Sequence, residues 1–162
     1  MRIEDVTTPE QFADALAVRF EVFVGEQGVS PEGERDELDS DPRTLHVIAY
    51  DDHGAPVGVG RLLAPHTDTV HHTMDRSNPH IGRLAVRASA RGTGTGAALM
   101  AHLEAAALAR HGASGSVRVE LSAQDQAMPF YERVGYVAHG EAYLDEGISH
   151  HDAYKDLSAT AS

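Results

Sequence analysis

One α/β domain on a mixed sheet, spanning residues 1–160, is predicted by three observations. Apolar residues recur with strand and helix periods in the order helix, hairpin, strand, helix, strand, helix, two strands. A length of 162 residues suits a single domain with a real core, and 41% hydrophobic with 23% charged residues is an ordinary globular balance. No repeat, linker or low-complexity tract divides the chain.

Thr8-Pro9-Glu10-Gln11 reads as a helix start, with Thr8 as cap, Pro9 in the first turn and Gln11 completing a capping box. The spacing of Phe12, Leu16, Arg19, Phe20 and Phe23 predicts one buried face, ending by Gly25 or Gly28. Residues 30–43 are mostly acidic or turn-forming and read as a surface loop. Its cluster Glu34, Asp36, Glu37, Asp39 and Asp41 is expected to be solvated, the alternative being attraction of a cationic amine. Leu45–Tyr50 and Val57–Leu63 form a hairpin by the turn chemistry of Asp51 to Pro56. Residues 64–79 are polar and read as a loop, and Ile81–Val86 is the third strand. The helix that follows turns Leu99, Met100, Leu103 and Ala107 inward and stops at His111-Gly112. Val117–Leu121 is a strand, Gln124–Val134 a helix capped by Gly135, and two short strands meet around Glu146-Gly147.

Composition removes several function classes. Without cysteine there is no disulfide, thiolate zinc site or cysteine nucleophile. Thirteen Lys and Arg against 25 Asp and Glu give a net charge of −12, which disfavours nucleic acid and leans toward cationic ligands. No stretch approaches the roughly 20 apolar residues of a membrane span, and the first residues lack a signal-peptide core, so a cytoplasmic protein is expected. His71-His72 and His150-His151 are neighbours that a strand points to opposite faces, and no helical His-x-x-x-His occurs. No metal is expected.

Chemistry concentrates where strand 81–86 runs into Arg91-Gly92-Thr93-Gly94-Thr95-Gly96 and a helix. Glycines let the backbone turn tightly and aim consecutive N–H groups at an anion, the helix N-terminus adds partial positive charge, and Arg91 adds a full one. The bland alternative is a plain strand-to-helix turn. Gly92-x-Gly94-x-x-Ala97 also fits the dinucleotide fingerprint, but Glu120, the acid that would bind ribose, lies 28 residues beyond Gly92 where about 20 is usual. A nucleoside-triphosphate loop is excluded because no Gly-Lys-Ser/Thr follows.

Arg91 to Gly96, preceded by Ile81-Gly82-Arg83-Leu84-Ala85-Val86, resembles the pyrophosphate arm of the GNAT N-acetyltransferases, Gln/Arg-x-x-Gly-x-Gly/Ala. Gln124-x-x-Ala127-x-x-Phe130-Tyr131-x-x-x-Gly135-Tyr136 is similar to that family's second signature. Arg19-x-x-Val22-Phe23-Val24-x-Glu26-Gln27, Leu121-Ser122-Ala123-Gln124 and Asp145 to His150 resemble its ElaA-type branch, though Asp145-Glu146 inverts the usual order and Ser149 replaces a common Pro. The resemblance implies a mostly antiparallel sheet with a splayed parallel strand pair, flanked by helices, and acetyl-CoA as co-substrate. It implies that Leu84, Ala85 and Val86 bond the pantetheine arm through their backbone. Arg91, Gly92, Thr93, Gly94, Thr95 and Gly96 would hold the pyrophosphate. Gln124 stands where many relatives have Asn, Phe130 shapes the cofactor slot, and Tyr136, replacing a common Phe, changes little if its hydroxyl reaches solvent. Tyr131 matches the phenol that protonates the departing thiolate.

On the substrate side Arg83 either contacts the acceptor or pairs with an acid, and His150 lines the pocket. Glu120 and His46 are candidate bases beside a water chain. The expected reaction is acetyl transfer to a primary amine, of a small molecule or peptide, by direct attack in a ternary complex. The alternatives are a non-catalytic acyl-CoA sensor and a dinucleotide-binding module. A homodimer through exposed strand edges would be ordinary.

Overall fold

The computed structural model describes residues 1–67 and 75–159. Its elements are β1 (Arg2–Asp5), α1 (Pro9–Arg19), a π-helical turn (Phe20–Glu26), α2 (Pro31–Glu34), a 3-10 turn (Glu37–Ser40), β2 (Leu45–Tyr50) and β3 (Pro56–Leu63). There follow β4 (His66–Thr67), β5 (Asp75–Arg76), β6 (His80–Val86), a 3-10 turn (Ala88–Ala90), α3 (Thr95–His111), β7 (Ser116–Gln124), a 3-10 turn (Asp125–Ala127), α4 (Met128–Arg133), β8 (Val137–Asp145) and β9 (Ile148–Ser158). Seven strands form one sheet in the order β1-β2-β3-β6-β7-β9-β8, and β4 pairs with β5 apart from it. The pairs β1–β2, β2–β3, β7–β9 and β8–β9 are antiparallel, whereas β6–β7 is parallel. Among the described residues the parallel register is confined to His80↔Glu120, with the Glu120 amide donating to the Pro79 carbonyl at 3.1 Å. This is the expected mixed, mostly antiparallel sheet with a briefly paired parallel couple.

The chain folds as two compact units, Met1–Leu62 with Arg83–Leu103 and Leu63–Gly82 with Glu104–Ser162. In the first, α1 starts at the predicted capping box: the Gln11 amide donates to Thr8 Oγ1 and the Thr8 amide to Gln11 Oε1. Its buried stripe is Ala15, Val18 and Val22, packed with Ile48, Tyr50, Val59 and Ala85. Phe20, expected inward, is 54% exposed. Phe20 follows Ala15 by five residues, which at 3.6 residues per turn puts it about 140° round the helix from Ala15, away from the face that is buried. On β3, a Cβ at Gly58 would meet Leu99 Cδ1 at 2.9 Å, and one at Gly60 would meet Leu103 Cδ1 at 2.7 Å, so bare backbone lets α3 approach.

In the second unit, Val119, Leu121, Ala123 and Ala153 are buried on one face of β7 and β9. Glu120, Ser122 and Gln124 alternate with them and pair in register with Tyr154, Asp152 and His150. Glu146 and Gly147, at φ +51 and +73, make the predicted turn between β8 and β9. The helix expected over 124–134 is shorter, because β7 continues through Gln124 and α4 begins only at Met128. Pro129 fits a first turn and bars its ring from a helix interior. The sequence reading misses β1, a four-residue strand whose pairing is supplied by the backbone of β2. It also leaves the described part of 64–79 as loop, where β4 and β5 form a two-residue ladder.

Candidate active site

The glycine turn sits at the head of α3. Gly92 and Gly94 adopt φ +78 and +85, and a Cβ at either would meet nothing within 4 Å. The conformation, rather than crowding, therefore selects glycine, and the turn opens on free space. The Gly94 carbonyl accepts from Ala98 at 3.0 Å, which starts the helix. Thr93 Oγ1 bonds the Ala90 carbonyl and lies 2.8 Å from the hydroxyl of buried Thr95, so both side chains brace the turn from behind. No side-chain oxygen accepts from the amides of residues 92–97 among the described residues. An uncapped, open first turn fits a bound phosphate. Arg91 Nε donates to the Val86 carbonyl at 3.0 Å and Nη2 to the Glu26 carboxylate at 2.5 Å, a surface pair that ties the turn to the π-helical segment. Of the residues preceding it, Ala85 is buried and Leu84 and Val86 are half-buried.

The acidic segment after α1 is not a solvated loop. Arg19, 2% exposed, donates from Nε to Glu34 at 2.5 Å and from Nη1 and Nη2 to Asp39 at 2.7 and 3.0 Å. Arg61, also buried, bonds Asp36 through Nη1 and Nη2 at 2.8 Å each and Asp39 at 2.8 Å. Glu34 and Asp39 are thus buried as counter-ions; Glu37 stays exposed, and Asp41 pairs locally with Arg43 at 2.8 Å. Burial pushes the Asp39 carboxyl up, but hydrogen bonds from Arg19 and the charges of Arg61 and Arg19 overcome it and hold it well below the usual carboxylate range. Asp36 is lowered in the same way, burial being outweighed by Arg61 and Arg83. Of the two readings of Arg83, the structure shows the ion pair: Nε donates to the Glu34 carbonyl at 2.9 Å and Nη2 to Asp36 at 3.3 Å. His46 is engaged as well, its Nε2 lying 3.1 Å from the Asp39 carbonyl and its ring edge-on to Phe12 at 5.0 Å. Burial lowers its pKa and favours the neutral ring.

In the second unit, Tyr131 stands on α4 with its ring edge-on to Phe130 at 5.0 Å and to Tyr136 at 6.0 Å. Its hydroxyl has no hydrogen-bond partner among the described residues, and burial raises its pKa above the ordinary tyrosine value, so the phenol keeps its proton. The Tyr136 hydroxyl does not reach solvent. It is buried and donates to Glu104 at 2.9 Å, while Lys155 bonds the same carboxylate at 3.1 Å and the Val134 carbonyl at 2.8 Å. Gln124 accepts from Gln126 at 2.8 Å and lies in register with His150. The His150 ring stacks on Tyr143 at 6.0 Å, its Nδ1 held 2.7 Å from the Ile148 carbonyl. Glu120 accepts from Asn78 at 3.4 Å. Two groupings escape the sequence reading: Tyr143, which bonds Ser122 and donates to Asp152 at 2.7 Å, and Asp125, which holds Ser149 and His151 at 2.6 and 2.7 Å. The only signal for either is strand register, since their partners lie on different elements. No group of three or more metal-ligating side chains occurs among the described residues, and His71 and His72 lie outside them. No helix of the described residues is long and apolar enough to cross a membrane.

The model of the Acetyltransferase (GNAT) domain family matches residues 4–157. The chain belongs to the GNAT acetyltransferase family. It is therefore an acyltransferase that draws its acyl group from a coenzyme A thioester, with acetyl-CoA the co-substrate expected. Among GNAT relatives, the uncharacterized N-acetyltransferase YjcF of Bacillus subtilis is 41% identical over 148 residues, covering 91% of this chain and 94% of that protein. The crystal structure of an acyl-CoA N-acyltransferase from Pseudomonas aeruginosa superposes with a TM-score of 0.77 at 32% identity, covering 96% of this chain and 99% of the other. Escherichia coli ElaA has a TM-score of 0.78 at 23% identity, covering 95% and 98%, and so shares the GNAT fold.

Proposed function

We propose that residues 1–160 act as a single N-acetyltransferase domain, cytoplasmic, which transfers acetyl to the primary amine of a small molecule or peptide by direct attack in a ternary complex. Acetyl-CoA, when bound, supplies the acyl group and a thiolate leaving group. The backbone of Leu84, Ala85 and Val86 bonds the pantetheine arm and polarises the thioester carbonyl. Gly92 to Gly96 receive the diphosphate on main-chain amides, and Arg91 exchanges Glu26 for a phosphate oxygen. Phe130 shapes the slot and Gln124 offers its amide to the arm. As the N–C bond forms and the C–S bond breaks, the amine gives up a proton to a water chain, Tyr131 delivers the proton that the departing sulfur needs and regains one from that chain, and no covalent enzyme intermediate forms.

What supports this reading above all is the open left-handed turn at Gly92 and Gly94, uncapped at the start of α3 and facing free space. Calorimetric titration with acetyl-CoA tests it. Binding in the micromolar range is expected, and a folded protein that gives no heat up to about millimolar ligand, the weakest affinity worth measuring here, ends it. Release of free thiol over a panel of primary amines then separates a transferase from a protein that only senses acyl-CoA.

A further inference from the structure

Arg83 is a non-glycine residue with left-handed backbone inside a strand, at φ +51; Glu146, the other such residue among those described, lies in a hairpin turn. A side chain at that φ crowds its own backbone, so a strand keeps it only where other contacts hold it there. Two contacts do so: Nε to the Glu34 carbonyl at 2.9 Å and Nη2 to the Asp36 carboxylate at 3.3 Å. Both acceptors are themselves fixed: buried Arg19 donates from Nη2 to the same Glu34 carbonyl at 3.0 Å and from Nε to the Glu34 carboxylate at 2.5 Å, and Asp36 is held by the two-pronged bond from Arg61. Leu84, Ala85 and Val86 follow directly in the chain.

We infer that Arg83 is a positioning residue: its clasp on Glu34 and Asp36 holds a left-handed kink in β6, and the kink sets the direction in which the backbone of Leu84–Val86 meets the thioester arm. The guanidinium itself touches neither co-substrate nor acceptor. The inference rests on the proposed coenzyme A reading for its function, and on the backbone angle and hydrogen bonds for its geometry.

Two substitutions separate the backbone from the charge. Arg83→Ala and Arg83→Gly both lose the clasp, but only glycine keeps the left-handed conformation without strain. Coenzyme A binding is expected to weaken about tenfold in Arg83→Ala and to be largely restored in Arg83→Gly. Amide hydrogen exchange at Leu84, Ala85 and Val86, measured without ligand, should quicken in the alanine variant and return toward wild type in the glycine one. Equal weakening in both variants would assign the effect to the guanidinium, and an unchanged alanine variant would leave the clasp without a role; either result overturns the inference. If circular dichroism finds Arg83→Ala unfolded, Asp36→Asn takes its place, loosening the clasp from its other end. Faster exchange at 84–86 is then expected, with recovery when Arg83→Gly is added; no recovery overturns the inference. Should the wild-type protein not bind coenzyme A, the functional reading fails while the exchange comparison still decides the clasp.

Discussion

In the proposed reading, Tyr131 and Gly94 carry function in different ways. Burial disfavours the phenolate and makes the phenol a weaker acid than a free tyrosine, so its proposed role rests on placement: its hydroxyl has no partner among the described residues and is free to meet the departing sulfur. Tyr131→Phe should therefore lower kcat about a hundredfold while coenzyme A affinity, followed by calorimetry, stays unchanged. Gly94 contributes a backbone angle. A Cβ there meets no atom within 4 Å, so Gly94→Ala carries only the cost of the left-handed conformation, about 1–2 kcal/mol. Coenzyme A should bind about tenfold more weakly, with the α3 helical signal in circular dichroism retained. Both positions stand out in the sequence because their signal is local: a phenol in a short motif, a glycine before a helix. Arg83 is legible only as a pair of alternatives, since its partners lie 49 and 47 residues away and nothing in the strand pattern marks a positive φ.

Among elements, the segment from Ser30 to Ser40 departs furthest from expectation. Its composition of Pro, Gly, Glu and Asp is that of a solvated loop, yet it folds into α2 and a 3-10 turn around two buried guanidiniums. Composition measures the charge of a segment but not the counter-charge that distant strands bring to it. Arg61 on β3 is 25 residues from Asp36 in the chain and within 2.8 Å of it in space. Removing one partner from such a pair leaves a buried charge uncompensated. Arg19→Met is therefore expected to destabilise the fold by about 3–5 kcal/mol, read as a fall in the urea midpoint. By contrast α3 is fully legible: its inward residues Leu99, Met100, Leu103 and Ala107 follow helical spacing and are all buried as predicted.

For the molecule as a whole, the same network sets an acid limit on stability. Asp36 and Asp39 have folded pKa values below the ordinary one, so the folded state binds protons less readily than the unfolded chain. Their stabilisation is complete above the unfolded value of about 3.9 and is lost as pH falls from there through the folded values. Thermal melts should be level with respect to this pair from pH 7 to about 5, then fall steeply below about 4, and Asp39→Asn should flatten that fall. At this scale the alternation of the larger strands and helices from α1 onward is read from the chain, though β1, α2 and the β4–β5 ladder are not; the family, whose match spans residues 4–157, is read from it too. The division into two compact units is not, because both are discontinuous in sequence and no linker separates them.

Gly58 and Gly60 give β3 a reach beyond its own position. They act as a bearing on which α3 rests, and the first turn of that helix is the proposed diphosphate cradle. A single methyl group at Gly58 would press on Leu99 Cδ1 and on Thr95 Cγ2, the latter a stiff β-branched side chain in the first turn of the helix. A defect that began as overpacking in an unremarkable strand would then surface as a lost affinity for coenzyme A.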